Sequence, residues 1–432
     1  MSVPLDLVGV GIGPFNLSLA ALASSVEGLR ARFYERRPEF RWHPGLLIDG
    51  ANLQVPFLAD LVSLVEPTHP LSFLSYLRER GRLFPFYFAE RFHIPRAEYD
   101  DYCRWASERL PSCRFGHDVQ KVRWSAEHGA FEVDVLPSGT VLSRAVVFGV
   151  GTEPVLPEPL RRLKERGSAT VLHSADYLGA RDELLALPDV TVVGSGQSGA
   201  EVFLDLLRRR AGGLRWIART PAFAPMEYSK LGLEQFTPDY TRFFHGLPEA
   251  TRDALVPAQW QLYKGISAET IGAIHDELYQ RTVGGGWPDV TLTPGVAVVA
   301  AERAGNGVEL TVRHEQQGAT AALRTDAVVC ATGYAERDLD VLLGPLAGER
   351  DGSGRAAVDA DFRVRLRPEI TGSVFVQNAE RHTHGVGAPD LGLAAWRSAT
   401  ILNAVCGRVV HPLAERTAFT TFGLAEQGRR AT

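Results

Sequence analysis

Hydrophobic runs along the chain alternate with amphipathic stretches, which is the pattern of strands followed by helices in a parallel α/β sheet. Two of these runs open in the same way, LDLVGVGIGPFNLSLAALA from Leu5 and DVTVVGSGQSGAEVFLDLL from Asp189. Each predicts a buried strand, a glycine-rich turn and a helix, which together form the opening of a nucleotide-binding βαβ unit. The chain is therefore predicted to contain two such units.

A buried strand that runs into a tight turn is predicted after each nucleotide unit, in VVFGVGTEP (146–154) and in DAVVCATGY (326–334). This arrangement is typical of flavoproteins that bind two dinucleotides. We therefore predict an α/β fold with two Rossmann-like domains, in which an NADPH domain is inserted into an FAD domain. The predicted boundaries are 1–168 for the first part of the FAD domain, 169–325 for the NADPH domain, and 326–432 for the second part of the FAD domain with the C-terminal tail.

The segment 221–288 does not follow the pattern of a simple βαβ unit. It contains aromatic and helical patches, at 236–244 and 266–279. We interpret it as a helical insertion that shapes the substrate site, with a purely structural insertion as the alternative.

The first glycine motif reads Gly11-x-Gly13-Pro14-x-Asn16. Glycine is required where a turn is tight and where the backbone approaches a pyrophosphate, whose charge the following helix N-terminus stabilises. Asn16 replaces the third glycine, so the motif alone is a weak signal. Glu35 strengthens it, because a carboxylate at the end of the next predicted strand can accept the ribose hydroxyls. These residues predict the FAD site.

The second glycine motif is complete, with Gly194, Gly196 and Gly199 at the expected spacing. The residue at the end of the following predicted strand is Arg219, where an NAD-binding enzyme would carry an acidic residue. A guanidinium at that position suits the 2′-phosphate of NADPH. The motif therefore predicts NADPH rather than NADH.

The composition excludes several classes of protein but does not identify the function. Of the 432 residues 45% are hydrophobic, and the net charge of −5 gives no reason to expect a nucleic-acid or membrane partner. The four cysteines have neither the spacing of a metal site nor that of a redox dithiol. No apolar run approaches the ~18 residues of a membrane span, and glycines interrupt the apolar N-terminus. We expect a cytoplasmic protein without a metal.

In their order, the motifs are similar to those of the siderophore-pathway N-hydroxylating flavin monooxygenases, the lysine, ornithine and diamine N-monooxygenases. The resemblance covers about residues 5–405 and rests on GIGPFNLSLA, WHPG, LQVPFLADLVSL, EYDDYCRW, HSADY, GSGQSGAE, ATGY and HGVGAPDLGLAAWRS. It implies that NADPH reduces FAD, that O2 forms a C4a-hydroperoxide on the flavin, and that a neutral amine accepts one oxygen atom. It also implies a small amine and O2 as partners and a homo-oligomeric enzyme.

The resemblance assigns roles to individual residues, beginning with the FAD contacts at Gly11, Gly13, Asn16 and Glu35. Gln54 resembles a flavin-site residue and is the candidate catalytic residue. The residues that resemble those near the isoalloxazine ring are Trp42, His43, Gln54 and Leu391. The residues that resemble NADPH contacts are Gln197, Ser198 and Arg219.

Departures from the family pattern indicate the substrate. Members that act on amino acids usually read FLKDL, with a lysine that pairs with the substrate carboxylate, whereas this chain reads FLADL and carries Ala59. Two further polar head-group contacts are missing, at Ser267 and Gly392. A buried carboxylate without a partner costs roughly several kcal/mol. We therefore predict a diamine such as putrescine or cadaverine, hydroxylated for a hydroxamate siderophore. The alternative is an L-lysine N6-monooxygenase in which Lys230 or Lys264 replaces the missing lysine.

Two other functional classes fit the sequence less well. A Baeyer–Villiger monooxygenase requires FxG before a histidine and a tryptophan after it, and the surroundings of His173, SATVLHSADYL, contain neither. A non-catalytic nucleotide-binding or redox-sensing protein would not require the unusual proline-rich segment 42–73 beside two nucleotide motifs.

Overall fold

The structure is a computed structural model that describes residues 3–167 and 170–424. Its strands are β1 (Leu5–Val10), β2 (Ala31–Glu35), β3 (Cys113–Phe115), β4 (Asp118–Ser125), β5 (Ala130–Leu136), β6 (Gly139–Phe148), β7 (Thr152–Pro154), β8 (Val171–His173), β9 (Val190–Val193), β10 (Leu214–Ala218), β11 (Val290–Pro294), β12 (Val296–Ala304), β13 (Gly307–His314), β14 (Ala319–Thr325), β15 (Ala327–Cys330), β16 (Tyr334–Glu336) and β17 (Ser373–Val376).

Its α-helices are α1 (Pro14–Ala23), α2 (Phe73–Glu79), α3 (Leu83–Ala89), α4 (Arg96–Glu108), α5 (Glu158–Glu165), α6 (Tyr177–Ala186), α7 (Gln197–Arg209), α8 (Lys230–Leu233), α9 (Pro238–His245), α10 (Glu249–Ala258), α11 (Ala268–Arg281), α12 (Leu339–Leu343), α13 (Arg381–His384) and α14 (Ala394–Cys406). No helix within the described ranges is long and apolar enough to cross a membrane.

The first sheet is built from both ends of the chain. Its strands run in the order β3-β2-β1-β6-β5-β4, and β17 pairs with β6 in parallel. The strand β6 pairs with β5 as far as Ser143 and with β17 from Ala145, where it changes from an exposed to a buried strand. Helix α1 is buried along its whole length and packs against α14, so the two ends of the chain share one core.

The second sheet is parallel throughout, in the order β11-β10-β9-β15-β8. A three-stranded antiparallel sheet, β12-β13-β14, follows β11. The predicted fold class, two Rossmann-like units in an α/β protein, is confirmed. One predicted boundary is wrong, because β15 was assigned to the second part of the FAD domain and instead forms hydrogen bonds within the second sheet. The predicted boundary at 168/169 lies outside the described residues, as does the end of the tail from 425.

The chain passes between the two sheets at a single place. There β7 and β16 pair in antiparallel register, with Tyr334 opposite Pro154. Strand β7 lies at the end of the segment VVFGVGTEP, and β16 begins at the last residue of DAVVCATGY. The connection from the first sheet to the second is therefore hydrogen-bonded to the connection that returns.

Between β10 and β11 lie the four helices α8, α9, α10 and α11, which confirms the predicted helical insertion. Its aromatic residues form a small core of their own around Phe244, which is packed with Val386 of the C-terminal segment. The residues that follow α14 also bind to the insertion. The Asp239 carboxylate accepts hydrogen bonds from the backbone N–H groups of Thr417 and Ala418.

Candidate functional site

A cavity of about 2490 Å³ lies between the two sheets and reaches both glycine turns. Most of the predicted site residues line it, although they come from distant parts of the sequence. These are Gly11, Gly13, Pro14, Glu35, Trp42, His43, Gln54, Ala59, Gly194, Gly196, Gln197, Ser198, Arg219, Ser267, Leu391 and Gly392. Asn16 and Gly199 do not line it. The fold therefore brings the two predicted nucleotide sites and the predicted substrate residues into one cavity.

The first glycine turn leaves its backbone open to the cavity. Gly11 has a φ of +84°, and a Cβ on it would lie 2.6 Å from the carbonyl oxygen of Gly149, so no other residue fits there. A Cβ on Gly13 would meet nothing within 4 Å, which leaves room for a ligand against the N-terminus of α1. The two carboxylate oxygens of Glu35 accept the backbone N–H groups of Ile12 and Arg37, each at 3.0 Å. Glu35 is thereby fixed beside the turn.

Asn16 lies behind this turn rather than in the cavity wall. Its side-chain amide donates to the carbonyl oxygens of Val10 at 3.1 Å and Gly11 at 2.8 Å. Its Oδ1 accepts a hydrogen bond from Nε2 of Gln377 at 2.7 Å. Asn16 therefore holds the shape of the turn and ties it to the end of β17. Gly199 is also a packing residue, since a Cβ there would lie 2.5 Å from the carbonyl oxygen of Gly194.

His43 lines the cavity, and its side chain is exposed to it. Burial, with the charges of Arg96 and Arg37, lowers its pKa to about 4. Its backbone adopts φ 46°, and its ring lies edge-on to the rings of Trp42 and Tyr334, at 5.0 and 5.6 Å between centroids. The imidazole is therefore uncharged at neutral pH and available for hydrogen bonding.

Several buried side-chain amides in the cavity wall have no hydrogen-bond partner within the described part of the chain. They are Gln54 through Nε2, Asn52 through Oδ1, Gln377 through Oε1 and Asn378 through Oδ1. Buried polar groups of folded proteins are nearly always hydrogen-bonded, so such a cluster indicates a ligand rich in donors and acceptors. Only Gln54 was predicted. The other signal in the sequence is the dipeptide QN directly after the buried run SVFV, at the carboxyl end of a parallel strand.

A buried ion pair joins the two halves of the cavity. Both guanidinium nitrogens of Arg96, on α4, bind the carboxylate of Glu201, on α7, at 2.6 and 2.7 Å. Gln197 extends the network by donating to Glu201 at 2.8 Å and to Thr270 at 3.0 Å. It also accepts the backbone N–H of Ser267 at 2.8 Å. The first sheet, the second glycine motif and the insertion are thus connected through one set of hydrogen bonds.

Ser267, the predicted position of a missing head-group contact, lines the cavity at the start of α11. Its hydroxyl accepts the N–H of Thr270 and so caps helix α11. Its backbone is bound to Gln197 of the second glycine motif. These contacts place Ser267 on the nucleotide side of the cavity, because α11 packs against α7.

Two of the cations that line the cavity, Arg219 and Lys264, lie near the second glycine motif. Arg219 is exposed at the end of β10 and forms no ion pair with any residue that the structure describes. Burial, with the charges of Arg381 and Arg219, lowers the pKa of Lys264. The carbonyl oxygen of Lys264 lies 3.5 Å from the position of a Cβ on Gly196. Lys264 therefore belongs to the nucleotide side. Lys230 and Lys121 also line the cavity.

At the predicted substrate end, Ala59 is 5% exposed and forms part of the wall. The neighbouring Asp60 faces its own backbone and accepts the N–H groups of Val62 at 2.9 Å, Ser63 at 2.6 Å and Phe73 at 2.7 Å. No cation replaces the missing lysine on this turn.

The model of the L-lysine 6-monooxygenase/L-ornithine 5-monooxygenase family matches residues 3–336. The chain belongs to this family. The match spans β1 to β16 and includes both glycine turns, the turn with Ala59 and the insertion. The predicted family is therefore confirmed.

Relatives cover almost the whole chain. The rhizobactin siderophore biosynthesis protein RhbE of Rhizobium meliloti is 46% identical over 97% of this chain and 95% of its own length. A putrescine N-hydroxylase of Shewanella oneidensis is 41% identical over 96% of this chain and 84% of its own. The crystal structure of DfoA bound to FAD, the cadaverine monooxygenase of the desferrioxamine pathway in Erwinia amylovora, is 37% identical. It superposes with a TM-score of 0.92 over 99% of this chain and 100% of its own.

The buried Arg96–Glu201 pair predicts a large loss of stability when one partner is removed. Arg96→Met should lower the free energy of unfolding by about 3–5 kcal/mol, because the Glu201 carboxylate remains buried without its cation. Urea-induced unfolding of the purified protein measures this change. Burial already raises the pKa of Glu201, and the substitution raises it further. The loss should therefore be smaller at pH 5 than at pH 8, where the folded protein must keep the carboxylate charged.

Arg161→Met is the matched control, since Arg161 pairs with Glu158 and Glu165 on the surface. An exposed pair contributes about 0–1 kcal/mol. Equal losses in the two variants would contradict the assignment of the Arg96–Glu201 pair as a buried connection between the sheets.

Proposed function

We propose that this enzyme uses FAD, NADPH and O2 to hydroxylate the terminal amine of a small aliphatic diamine, such as putrescine or cadaverine, for hydroxamate siderophore biosynthesis. The observation that carries the substrate class is the apolar Ala59 in the cavity wall, on a turn without a cation. The named activities of the Shewanella putrescine N-hydroxylase and of DfoA support the same substrate class.

The residues present fit FAD on the first sheet. Gly11 and Gly13 leave the backbone open to a pyrophosphate, and Glu35 is fixed where it can accept ribose hydroxyls. The amides without partners, including Gln54 and Asn378, would supply hydrogen bonds to the bound cofactor. We also propose that the second sheet forms the NADPH domain, with Gln197, Ser198 and Arg219 toward the dinucleotide.

The protein positions the reactants and excludes water, while reduced FAD supplies the activation of oxygen. The amine must be neutral when it accepts oxygen, because only the neutral form has a free lone pair. His43 is uncharged at neutral pH and Gln54 is an amide, so neither side chain favours the ammonium form of an amine bound beside it. The candidate role of Gln54 is to hydrogen-bond and orient the reacting groups.

An L-lysine N6-monooxygenase is the second candidate, because the family includes lysine enzymes and both lysines predicted for this role, Lys230 and Lys264, line the cavity. Lys264 lies beside the second glycine motif and next to Arg219. That position suits phosphate better than a substrate carboxylate. Lys230 lies on the insertion and is the other lysine predicted for this role.

Arg219→Ala should raise the KM for NADPH roughly ten- to a hundredfold, which is the value of a charge-assisted contact with the 2′-phosphate. The KM for NADH, which lacks this phosphate, should change little. Steady-state rates of cofactor oxidation with a saturating diamine measure both constants. Equal losses with the two cofactors would show that Arg219 does not recognise the 2′-phosphate.

Ala59→Lys should shift the substrate preference from diamines towards lysine. The new ammonium would pair with an amino-acid carboxylate and repel the second ammonium of a diamine, so attraction and repulsion act in the same direction. A charge-assisted contact contributes ~1.5–3 kcal/mol, or roughly ten- to a hundredfold in kcat/KM. Hydroxylamine formation from putrescine, cadaverine, lysine and ornithine measures the shift.

Wild-type enzyme is the reference for this comparison and should hydroxylate a diamine with much higher kcat/KM than lysine or ornithine. If it hydroxylates lysine as efficiently as any diamine, another cation binds the carboxylate and the lysine enzyme is the better assignment. Lys230→Ala then identifies that cation.

We also propose that the enzyme is a homo-oligomer, as the family resemblance implies. Helix α3 has no buried residue, and Phe84, Tyr87 and Phe88 are 71–77% exposed on it. A contiguous exposed aromatic patch of this kind is typical of an association surface.

Light scattering coupled to gel filtration should give a mass above that of one chain, and Phe84→Ser with Phe88→Ser should reduce it. A monomeric wild-type enzyme at micromolar concentration would contradict the proposal.

A further inference from the structure

The cavity wall contains a carboxylate that the proposed function has not used. Asp390 lies in the C-terminal segment, next to Leu391 and two residues before Gly392, and all three line the cavity. Its Oδ1 accepts the backbone N–H of Gly392 at 2.7 Å. Within the described ranges Asp390 forms no ion pair. Asp390 is therefore a carboxylate of the cavity wall without a paired cation.

Its nearest cation is already occupied. The Arg397 guanidinium is buried, pairs with Glu380 at 3.1 Å, and donates to the carbonyl oxygens of Gly387 at 3.2 Å and Ala388 at 2.8 Å. Arg397 is thus shared by the carboxylates of Glu380 and Asp390, while Glu336, which also acts on it, pairs with Arg381. Burial raises the pKa of Asp390 to about 6, with the Gly392 N–H and Arg397 acting in the opposite direction. An arriving cation would compensate the excess negative charge.

The same segment adjoins the first glycine turn. The Arg397 guanidinium lies over the Phe15 ring, 4.8 Å from its centroid, and Phe15 follows Pro14 at the start of α1. Asp390 is therefore near the FAD side of the cavity, away from the cations Arg219 and Lys264. Val386, Pro389 and Leu391 provide apolar wall around it, which suits a methylene chain.

We propose that Asp390 binds the distal ammonium of the diamine and so determines the substrate class. This inference rests on the proposed function. The two ends of a diamine need opposite surroundings, because the reacting amine must be neutral and the other remains protonated. A carboxylate favours the protonated form and therefore serves the end that does not react. It also repels the carboxylate of lysine or ornithine, so it acts together with the absence of a cation at Ala59.

Glu227 is another carboxylate of the cavity wall and belongs to the insertion. It is exposed, and its Oε1 accepts the backbone N–H of Ser229 at 2.5 Å. An exposed carboxylate gains little from pairing with an ammonium, because water screens the interaction. Glu227 therefore provides a matched control for Asp390.

The test compares diamines with monoamines of the same length. The FAD-loaded wild-type, Asp390→Asn and Glu227→Gln enzymes are assayed with putrescine and n-butylamine, and with cadaverine and n-pentylamine. Asp390→Asn keeps an oxygen for the Gly392 N–H and removes the charge. It should lower kcat/KM for the preferred diamine about ten- to a hundredfold and leave that for the monoamine within about twofold. Glu227→Gln should change neither. Calorimetric titration of the oxidised enzyme with the diamine should show the same loss of affinity without turnover.

Equal losses for diamine and monoamine in Asp390→Asn, or no loss for either, would overturn the proposal. If Asp390→Asn does not retain FAD, Asp390→Ser offers a second oxygen for the Gly392 N–H. If neither variant retains FAD, the carboxylate is required for folding and the proposal is wrong. A wild-type enzyme that prefers lysine to every diamine would overturn the proposed function, and that comparison does not involve Asp390. A wild-type preference for diamines that persists in Asp390→Asn would overturn this inference alone.

Discussion

The Arg96 guanidinium and the Glu201 carboxylate meet between the two nucleotide-binding sheets, and the geometry of the cavity depends on this pair. Arg96 comes from the first sheet's helices, and Glu201 lies on the helix that begins at the second glycine turn. Because both side chains are buried, each requires the other in one bidentate arrangement. Gln197 carries the same network to the insertion through Thr270. The orientation of one nucleotide site relative to the other is thereby fixed by hydrogen bonds.

The cavity wall contains polar and charged side chains that lack a hydrogen-bond partner or an ion-pair partner within the described part of the chain. The amides around Gln54 lack hydrogen-bond partners, Arg219 lacks an anion and Asp390 lacks a cation, all within the described part of the chain. The amides and Asp390 would destabilise an isolated protein, because buried polar and charged groups lose their hydration, whereas Arg219 is exposed. A flavin, a 2′-phosphate and an ammonium would satisfy them in turn. Each proposed ligand thus carries the polar or charged group that its part of the cavity wall lacks.

Substrate selectivity in the proposed site depends on two features, a missing cation and an available carboxylate. In the proposed function, Ala59 leaves out the cation that an amino-acid substrate requires, and Asp390 is proposed to supply the anion for a diamine. The two residues are more than 300 positions apart in the sequence. Helices α1 and α14 bring their segments together, since Ser18 of α1 donates to the carbonyl oxygen of Leu61 and contacts Ser398 of α14. Packing of the two chain ends therefore contributes directly to substrate choice.

The sequence by itself determined the two nucleotide units, the family, the cofactors expected and the position of Ala59. It could do so because glycine turns and strand–helix alternation are local patterns with a local physical cause. The tertiary structure decided that Asn16 supports the turn from behind, that Ser267 lies beside Gln197, and that β15 belongs to the second sheet. It also revealed Gln377, Asn378 and Asp390 in the wall. These facts depend on which distant segments pack together, and a buried polar residue looks the same in sequence whether its partner is the backbone, another side chain or a ligand.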